Sequence, residues 1–352
     1  GLTPHPSTPH PRRRFRGLAL TAALVLATAG LAGCVSAAGS TTSADGTTTV
    51  TIGVGGNIFD VPVKFADAEG YFAKQGIKVK YVTLTSSTGI AALQSGSVQF
   101  LTASPLDMVS AVSKQLPIEA VSVIGSGNPL GLVVSKKFAA AHNLSSSSPA
   151  ATVAAALAGS TAGYSSSNTK AEAGIYLKAY GVDPGTVNWI ELPSPSADKT
   201  ALNTGQIDWF VTSEPIPLEI QNSGDGVVVA DPLKVPAWSA ADAGYGLFTA
   251  VTKSYASSDP AVVKKVVAAI QQATAYMSAH AGDGAVLKVA ASTLPGTPNA
   301  VLGSSLRQVV WPADASMSQS DWNKTLAFLD SLGAISSGAK ITSDNWTNQF
   351  VA

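Results

Sequence analysis

The stretch from Thr51 to Asp107 constrains the fold most, because runs of strand length alternate in it with apolar residues at helical spacing. Val50–Val54 is a short β-branched run, Ile77–Leu84 alternates apolar and polar residues, and Val98–Thr102 is a third apolar run. Two segments of helical spacing separate these three runs. Strands that alternate with helices predict an α/β fold with parallel strands and right-handed crossovers.

Polar loops follow each of the three predicted strands. They lie at Gly55–Asp60, Thr85–Thr88 and Ala103–Asp107. Because ligands of open α/β sheets bind at the carboxyl ends of the strands, we expect a small-molecule cleft at this edge. Each loop residue also has a purely structural interpretation, as a turn or as the cap of the next helix. The candidate ligand contacts on these loops are Asn57, Phe59, Ser86, Ser87 and Ser104.

A second series of strands and helices begins near Gly127, and a helical C-terminal section follows from Asp259. A chain of 352 residues is long enough to build two cores. We therefore predict two α/β domains, the second inserted into the first. The first lobe would comprise residues 50–126 and 252–352, and the second would comprise residues 127–251. The last predicted helix is Ser343–Phe350.

The second series contains a run of polar residues just before a helix predicted to begin near Ala171. Backbone N–H groups at a helix start, with hydroxyl groups added, bind anions well. Ordinary N-capping in a Ser-rich chain is the structural alternative, and it needs only one of these residues. The candidate ligand contacts in this run are Ser165, Ser166, Ser167, Asn168 and Thr169.

Two further candidates lie beyond this run. Glu214 follows a predicted strand and can pair with an ammonium group or a ring nitrogen; its alternative role is to charge the start of a helix. Trp238 lies in the loop-like stretch Pro236–Tyr245 and is predicted to form an aromatic wall of the cleft. Trp209 is predicted to be a core residue rather than a ligand platform.

The N-terminal segment has the features of a secretory leader. Four arginines between Arg12 and Arg16 precede the apolar run Leu18–Ala29, which is too short to span a bilayer stably. Leu31-Ala32-Gly33-Cys34 then resembles the lipobox of bacterial lipoproteins, in which the cysteine is acylated. We expect residues 1–34 to be a signal peptide ending in a lipidated Cys34, and residues 35–49 to be a Ser/Thr/Gly-rich tether. An ordinary signal peptide with an incidental cysteine is the alternative.

Composition excludes several classes of function. The chain after residue 34 carries 18 basic and 22 acidic residues, so nothing favours nucleic-acid binding. With Cys34 as its one cysteine, the chain forms no internal disulfide and, once lipidated, has no thiol for catalysis. His142 and His280 stand alone, without partners at metal-ligand spacing. We therefore expect no metal site and no cofactor.

Five segments together resemble a known family. They are Ala68–Val79 (AEGYFAKQGIKV), Ala92–Phe100 (ALQSGSVQF), Leu157–Tyr164 (LAGSTAGY), Ala201–Trp209 (ALNTGQIDW) and the pair Glu214-Pro215. In this order they are similar to the ABC-transporter substrate-binding proteins for nitrate, sulfonate, taurine and thiamine precursors. The resemblance covers most of residues 49–280 and implies a type II periplasmic-binding-protein bilobe, with two open mixed-sheet domains and a hinged cleft.

The resemblance also implies a function. We expect a lipid-anchored, extracytoplasmic binding protein on the outer face of the cell membrane. It would act as a monomer, capture a small polar solute and deliver it to an ABC permease and its ATPase. A nitrate-, sulfonate- or taurine-like anion is the favoured solute, and an aromatic or heterocyclic, thiamine-precursor-like solute is the second choice.

Two other classes of function remain as alternatives. Some relatives are pyrimidine synthases with a cysteine cluster, and the lack of cysteine after Cys34 argues against that enzyme activity here. A surface sensor or adhesin on the same scaffold is the third possibility.

Overall fold

The computed structural model describes residues 39–84 and 86–352, all of them within one compact unit, Val35–Ala352. The predicted signal peptide with Cys34, residues 35–38 of the predicted tether, and Thr85 lie outside the described residues. Ser86 and Ser87 begin a helix, but their side chains also lie outside the described part, so their predicted ligand contacts stay predictions.

The described residues form two mixed sheets with helices packed on them. The strands are β1 (Thr41–Thr42), β2 (Thr48–Val54), β3 (Ile77–Thr83), β4 (Phe100–Ala103), β5 (Ile118–Ser126), β6 (Leu130–Ser135), β7 (Thr161–Tyr164), β8 (Asn188–Glu191), β9 (Trp209–Ser213), β10 (Gly226–Ala230) and β11 (Tyr245–Thr252).

The helices follow the same alternation as far as β11 and then dominate the C-terminal part of the chain. They are α1 (Val61–Ala68), α2 (Tyr71–Lys74), α3 (Ser86–Ser95), α4 (Pro105–Ser113), α5 (Lys136–His142), α6 (Ala150–Leu157), α7 (Ser167–Ala179), α8 (Pro195–Thr204), α9 (Ile216–Asn222), α10 (Ala240–Ala243), α11 (Lys253–Ser258), α12 (Pro260–His280), α13 (Gly284–Thr293), α14 (Asn299–Leu306) and α15 (Gln319–Ser331).

The first sheet has the order β1-β2-β4-β11-β5, and β3 also pairs with β2. β2 runs parallel to β3 and β4, as the alternation predicts, whereas β11 is antiparallel to β4 and β5. Val50 and Ile52 face a core that includes residues of α1 and α12. On the other side, Phe248 stacks on Trp322 of α15 with 4.3 Å between ring centroids. Helices therefore cover both faces of this sheet.

The second sheet has the order β10-β6-β9-β7-β8. β6 is antiparallel to β10 and β9, while β7 is parallel to β8 and β9. Trp209 is fully buried in its core and donates its indole N–H to the Ser160 hydroxyl at 2.8 Å, which confirms the prediction of a core residue. We call residues 39–126 and 245–352 the first lobe, and residues 127–244 the second lobe.

Two expectations about chain organisation are wrong. β11 pairs with β4 and β5, so the segment that carries the second sheet ends before Tyr245 rather than at Val251. Residues 343–350 form no helix. Ala120 of β5 donates to Asn345 O at 2.9 Å and accepts from Thr347 N at 3.0 Å, so this segment extends the free edge of β5. Trp346 and Phe350 have helical spacing, but the backbone around Trp346 pairs with β5 instead.

Candidate ligand-binding site

The chain crosses between the two sheets twice, and the two crossings lie side by side. The first follows β5, and the second leads into β11. Gly127 N donates to Gly244 O at 2.8 Å, and Tyr245 is registered opposite Ser126. Gly127 has φ of +94°, and a Cβ there would lie 3.3 Å from Ala240 N. A side chain at this position would therefore strain the backbone and crowd the second crossing.

A cavity of about 170 Å³ lies against these crossings, between the two lobes. We call it the central cavity. The first lobe contributes residues of the loop after β2, of the start of α4, of β11 and of α15. The second lobe contributes both of its crossing segments and one face of α7. The polar and aromatic side chains that line it are Phe59, Ser104, Asn128, Asn168, Glu172, Tyr245, Thr325 and Phe328.

A smaller cavity of about 80 Å³ lies at the carboxyl ends of β2 and β4. Asn57 and Ser104 line it, together with Asp107. Ser104 lines both cavities, so the two cavities lie next to each other on the first lobe. Of the residues predicted from sequence, the structure thus places Phe59, Ser104 and Asn168 around one cavity and Asn57 beside it.

Glu172 is the most unusual group in the central cavity. Its side chain is only 6% exposed, and Asn128 Nδ2 donates to its Oε2 at 2.6 Å. Burial raises the pKa of this carboxyl group to about 7, although the hydrogen bond from Asn128 acts in the opposite direction. In the described part of the chain, no Lys, Arg or His side chain forms an ion pair with it. Glu172 was not predicted, but its spacing of four residues from Asn168 places both on one face of α7.

Phe59 is held in place by the residues around it. Asn57 Oδ1 accepts from Phe59 N at 2.9 Å and so caps the short 3₁₀ turn Ile58–Asp60. The Phe59 ring meets Trp311 edge-on at 5.8 Å between centroids. On the sheet side, a Cβ added to Gly125 would lie 2.8 Å from the ring. Because Gly125 has no side chain, the Phe59 ring can pack against the backbone of β5 and form the aromatic wall of the cavity.

Ser104 is positioned by a reciprocal cap at the start of α4. Its hydroxyl oxygen accepts from Asp107 N at 3.1 Å, and Asp107 Oδ2 accepts from Ser104 N at 3.0 Å. This arrangement occupies one lone pair of the hydroxyl group and leaves its O–H proton able to donate towards the cavity. The capping and binding interpretations of Ser104 are therefore compatible.

A family model described as NMT1/THI5 like matches residues 60–283. The match spans more than half of the chain, and it covers both crossings and all of the second lobe. The chain belongs to the NMT1/THI5-like family.

Several solved structures are similar in fold to this chain. A putative sulfonate-binding protein SsuA from Methylobacillus flagellatus KT matches with a TM-score of 0.65 at 16% identity, covering 86% of this chain and 92% of that chain. The aliphatic sulphonate-binding protein SsuA from Escherichia coli gives 0.60 at 17% identity, covering 81% and 90%. The nitrate-binding protein NrtA from Synechocystis PCC 6803 gives 0.60 at 14% identity, covering 83% of each chain. No curated protein matches the chain. The predicted fold class is confirmed.

The polar run before α7 contributes less to the cavity of this NMT1/THI5-like chain than its composition suggests. Ser166 caps the helix, because its hydroxyl accepts from Thr169 N at 3.1 Å, and Thr169 Oγ1 donates to Ser166 O at 3.2 Å. Ser166 and Ser167 are exposed, and Ser165 lies near the buried Asp198. Among the five predicted residues, only Asn168 lines the central cavity. N-capping therefore accounts for much of the run.

Glu214 lies away from both cavities. It is 5% exposed, and its Oε2 accepts from Leu218 N at 3.2 Å, whereas its Oε1 has no hydrogen-bond partner. Gln308 of the first lobe lies beside it and favours its charged form, but burial dominates and raises the pKa to about 8. A nearby hydrogen bond from Thr297 Oγ1 to Glu219 Oε1, at 2.8 Å, also joins the two lobes. Glu214 thus belongs to a contact between lobes.

Trp238 is wrongly predicted as an aromatic wall of the cleft. It is fully buried, with its ring 5.6 Å from that of Tyr176, and its indole N–H donates to Glu172 O at 3.0 Å. The 3₁₀ turn Pro236–Trp238 folds back onto α7 and buries the ring in the core of the second lobe. Trp238 therefore supports the helix that carries Glu172 instead of facing a ligand.

Two further features of the described residues concern metal-binding clusters and helices able to span a membrane. Within residues 39–84 and 86–352, no group of three or more His, Cys, Asp or Glu side chains is placed to hold a metal ion. In the same ranges, no helix has both the length and the apolar character that crossing a bilayer requires.

Replacing Ser166 should affect stability more than binding. We expect Ser166→Ala to lower the free energy of unfolding by about 1 kcal/mol, since it removes the N-cap of α7. Ser167→Ala is the matched control, because that neighbouring serine is exposed and makes no described side-chain hydrogen bond. Urea denaturation measures both. A large loss of solute affinity in Ser166→Ala at unchanged stability would contradict this assignment and place the loop in the site.

Stability should fall as the pH rises from 5 to 8. The folded state keeps Glu214 protonated up to a pKa of about 8, whereas an unfolded chain releases that proton near its ordinary value of 4.5. Stability is therefore complete below pH 4.5 and is lost as the pH approaches 8. Glu172, with a pKa of about 7, and Asp198, with one of about 6, act in the same direction. One pKa unit corresponds to about 1.4 kcal/mol, so the total loss should be on the order of several kcal/mol.

Urea denaturation at pH 5 and pH 8 measures this loss, and Glu214→Gln should make the dependence shallower. Glu69→Gln makes the same chemical change at an exposed position and should leave the dependence as in the parent. Stability that is equal at both pH values, or higher at pH 8, would contradict the assignment.

Proposed function

We propose that this chain is the extracytoplasmic solute-binding protein of an ABC importer. The observation that carries the proposal is the central cavity, which is lined by both lobes and lies against the paired crossings. A cavity shared by two lobes can be opened and closed by their relative rotation, as a binding protein requires. The likeness in fold to sulfonate- and nitrate-binding proteins supports the same role.

In this mechanism the crossings act as the hinge. Gly127 and Gly244 have positive φ values, and the hydrogen bond between them keeps the two crossings together during rotation. Contacts between the lobes away from the crossings, such as Thr297 with Glu219, would form and break as the lobes rotate. Closure removes water from the cavity, so the amides of Asn128 and Asn168 and the hydroxyl of Ser104 bind the solute in a low dielectric.

We further propose that the two lobes are the domains of the protein and that the chain works as a monomer on the outer face of the cell membrane. Lipidation of Cys34 would attach the protein there, and the Ser/Thr/Gly-rich segment that follows would be a flexible linker between the lipid and the folded lobes. Its partners would be a permease and the ATPase of that importer. Binding without chemical turnover is proposed, since the chain lacks the cysteine cluster of the pyrimidine-synthase relatives.

The lining of the central cavity bears on the class of solute. None of the described residues that line it is Lys, Arg or His. A nitrate-, sulfonate- or taurine-like anion, which the family resemblance favoured, would have to rely on neutral donors beside a buried carboxyl group. The lining therefore favours a neutral or cationic solute, such as a heterocyclic thiamine-precursor-like compound. Binding of an anion stays a prediction, and the solute screen described next tests it as well.

A solute screen tests the proposed role. We expect the full chain, purified in a mild detergent, to be stabilised against heat by at least one of four classes: sulfonates, nitrate, amines and pyrimidines. Stabilisation should grow with concentration and reach about 2.7 kcal/mol at 100 times the dissociation constant. Differential scanning fluorimetry measures it, and mass spectrometry of the recovered solute shows whether it was altered. Chemical conversion of a bound solute, or the absence of binding by all four classes, would contradict the proposal.

A further inference from the structure

We propose that the central cavity selects a small organic cation, whose positively charged nitrogen donates a hydrogen bond to Oε1 of Glu172. This inference rests on the proposed role as a solute-binding protein and names the chemical class of the solute. The ligand would be an amine or amidine with a short apolar body, and sulfonate and nitrate anions would be rejected.

The first argument concerns the hydrogen bonds of Glu172. Asn128 Nδ2 donates to Oε2 at 2.6 Å. Oε1 has no described hydrogen bond, but it is not one of the buried oxygens left without a partner, so it reaches open space. A carboxylate oxygen that reaches open space accepts from the donor that occupies that space, which is water in the free protein and can be a ligand in the complex. Glu172 lines the central cavity, so a ligand there can supply that donor.

The second argument concerns charge. The only ion pair among the described residues joins Lys324 to Asp321, so no described basic side chain neutralises Glu172. An anion placed in the same cavity would meet a like charge at close range in a low dielectric, where repulsion is strong. A cationic nitrogen instead gains a charge-assisted hydrogen bond, which is stronger than one between neutral groups.

The third argument concerns the size and shape of the rest of the cavity. At about 170 Å³ it is well below the roughly 300–1,000 Å³ typical of pockets for drug-sized ligands, so the solute is small. Phe59, Phe328, Leu329 and Leu332 supply apolar walls, and an aromatic face also attracts a cation. The Asn168 amide offers a further polar contact for any second polar group.

Titration calorimetry on the full chain at pH 8 tests the proposal with four probes. Benzylamine carries the cation, benzyl alcohol is its neutral counterpart, and benzenesulfonate and nitrate are the anions. We expect benzylamine to bind about tenfold or more tightly than benzyl alcohol, because only the amine adds the attraction between opposite charges to its hydrogen bond with the carboxylate. The anions should bind more weakly than either. This order of affinities needs no variant, so it decides the question even if a substitution prevents folding.

Glu172→Gln assigns the selectivity to one group. It keeps the size of the side chain and an oxygen that can accept from Asn128, but it removes the negative charge. Benzylamine affinity should fall about tenfold or more, whereas benzyl alcohol affinity should fall less, because the alcohol loses no attraction between opposite charges. Glu214→Gln is the matched control, since it neutralises another buried carboxyl group of the second lobe that lines neither cavity; it should bind benzylamine as the parent does.

Three outcomes would overturn the inference. If benzenesulfonate or nitrate binds more tightly than benzylamine, the cavity selects anions, and the proposed transport role survives without this inference. If Glu172→Gln binds benzylamine as tightly as the parent, the cation does not contact Glu172. If none of the four probes binds, the inference fails, and the wider solute screen then decides whether the transport role fails as well.

Discussion

The side-by-side pairing of the two crossings is the constraint on which the rest of the structure depends. Gly127 and Gly244 meet through one backbone hydrogen bond, and both have a positive φ that L side chains rarely adopt. A Cβ on Gly244 would overlap the Thr325 hydroxyl, which itself accepts from Tyr245 N at 2.9 Å. The C-terminal helix α15 therefore packs directly on the second crossing. The central cavity lies where the two crossings, α7 and α15 meet, so backbone geometry determines its position.

Much of the fold could be predicted from local sequence. The β-branched run Val50–Val54 predicted β2, and the alternation of apolar and polar residues over Ile77–Leu84 predicted β3. These signals are local, because each depends on residues within one or two turns. The antiparallel return of β11 could not be predicted in this way. Its partners β4 and β5 lie more than 100 residues away in the chain, and no local pattern records that pairing.

The site was predicted less completely, for a related reason. A polar residue in a loop is visible in the sequence, and Ser104 and Asn168 were found by that criterion, whereas Phe59 was found by its position after the first predicted strand. Glu172 is a charged residue within a helix, where most charged residues face solvent, and only the packing of Trp238 and Asn128 around it shows that it is buried. The prediction for Trp238 failed for the opposite reason. Its loop-like sequence suggested exposure, but its ring is buried in the core of the second lobe.

The balance of charge at α7 underlies the proposed preference for a cationic over an anionic solute. An anion would use the N-terminal end of this helix, whose dipole is equivalent to roughly half a positive charge and acts only over the first turn. Ser166 already occupies the Thr169 amide there, which leaves fewer donors for a ligand. Glu172 lies four residues beyond Asn168, about 6 Å along the helix axis, and brings up to a full negative charge into the same cavity. Because a full charge outweighs a partial one at similar distance, the helix that could have held an anion is better suited to a cation.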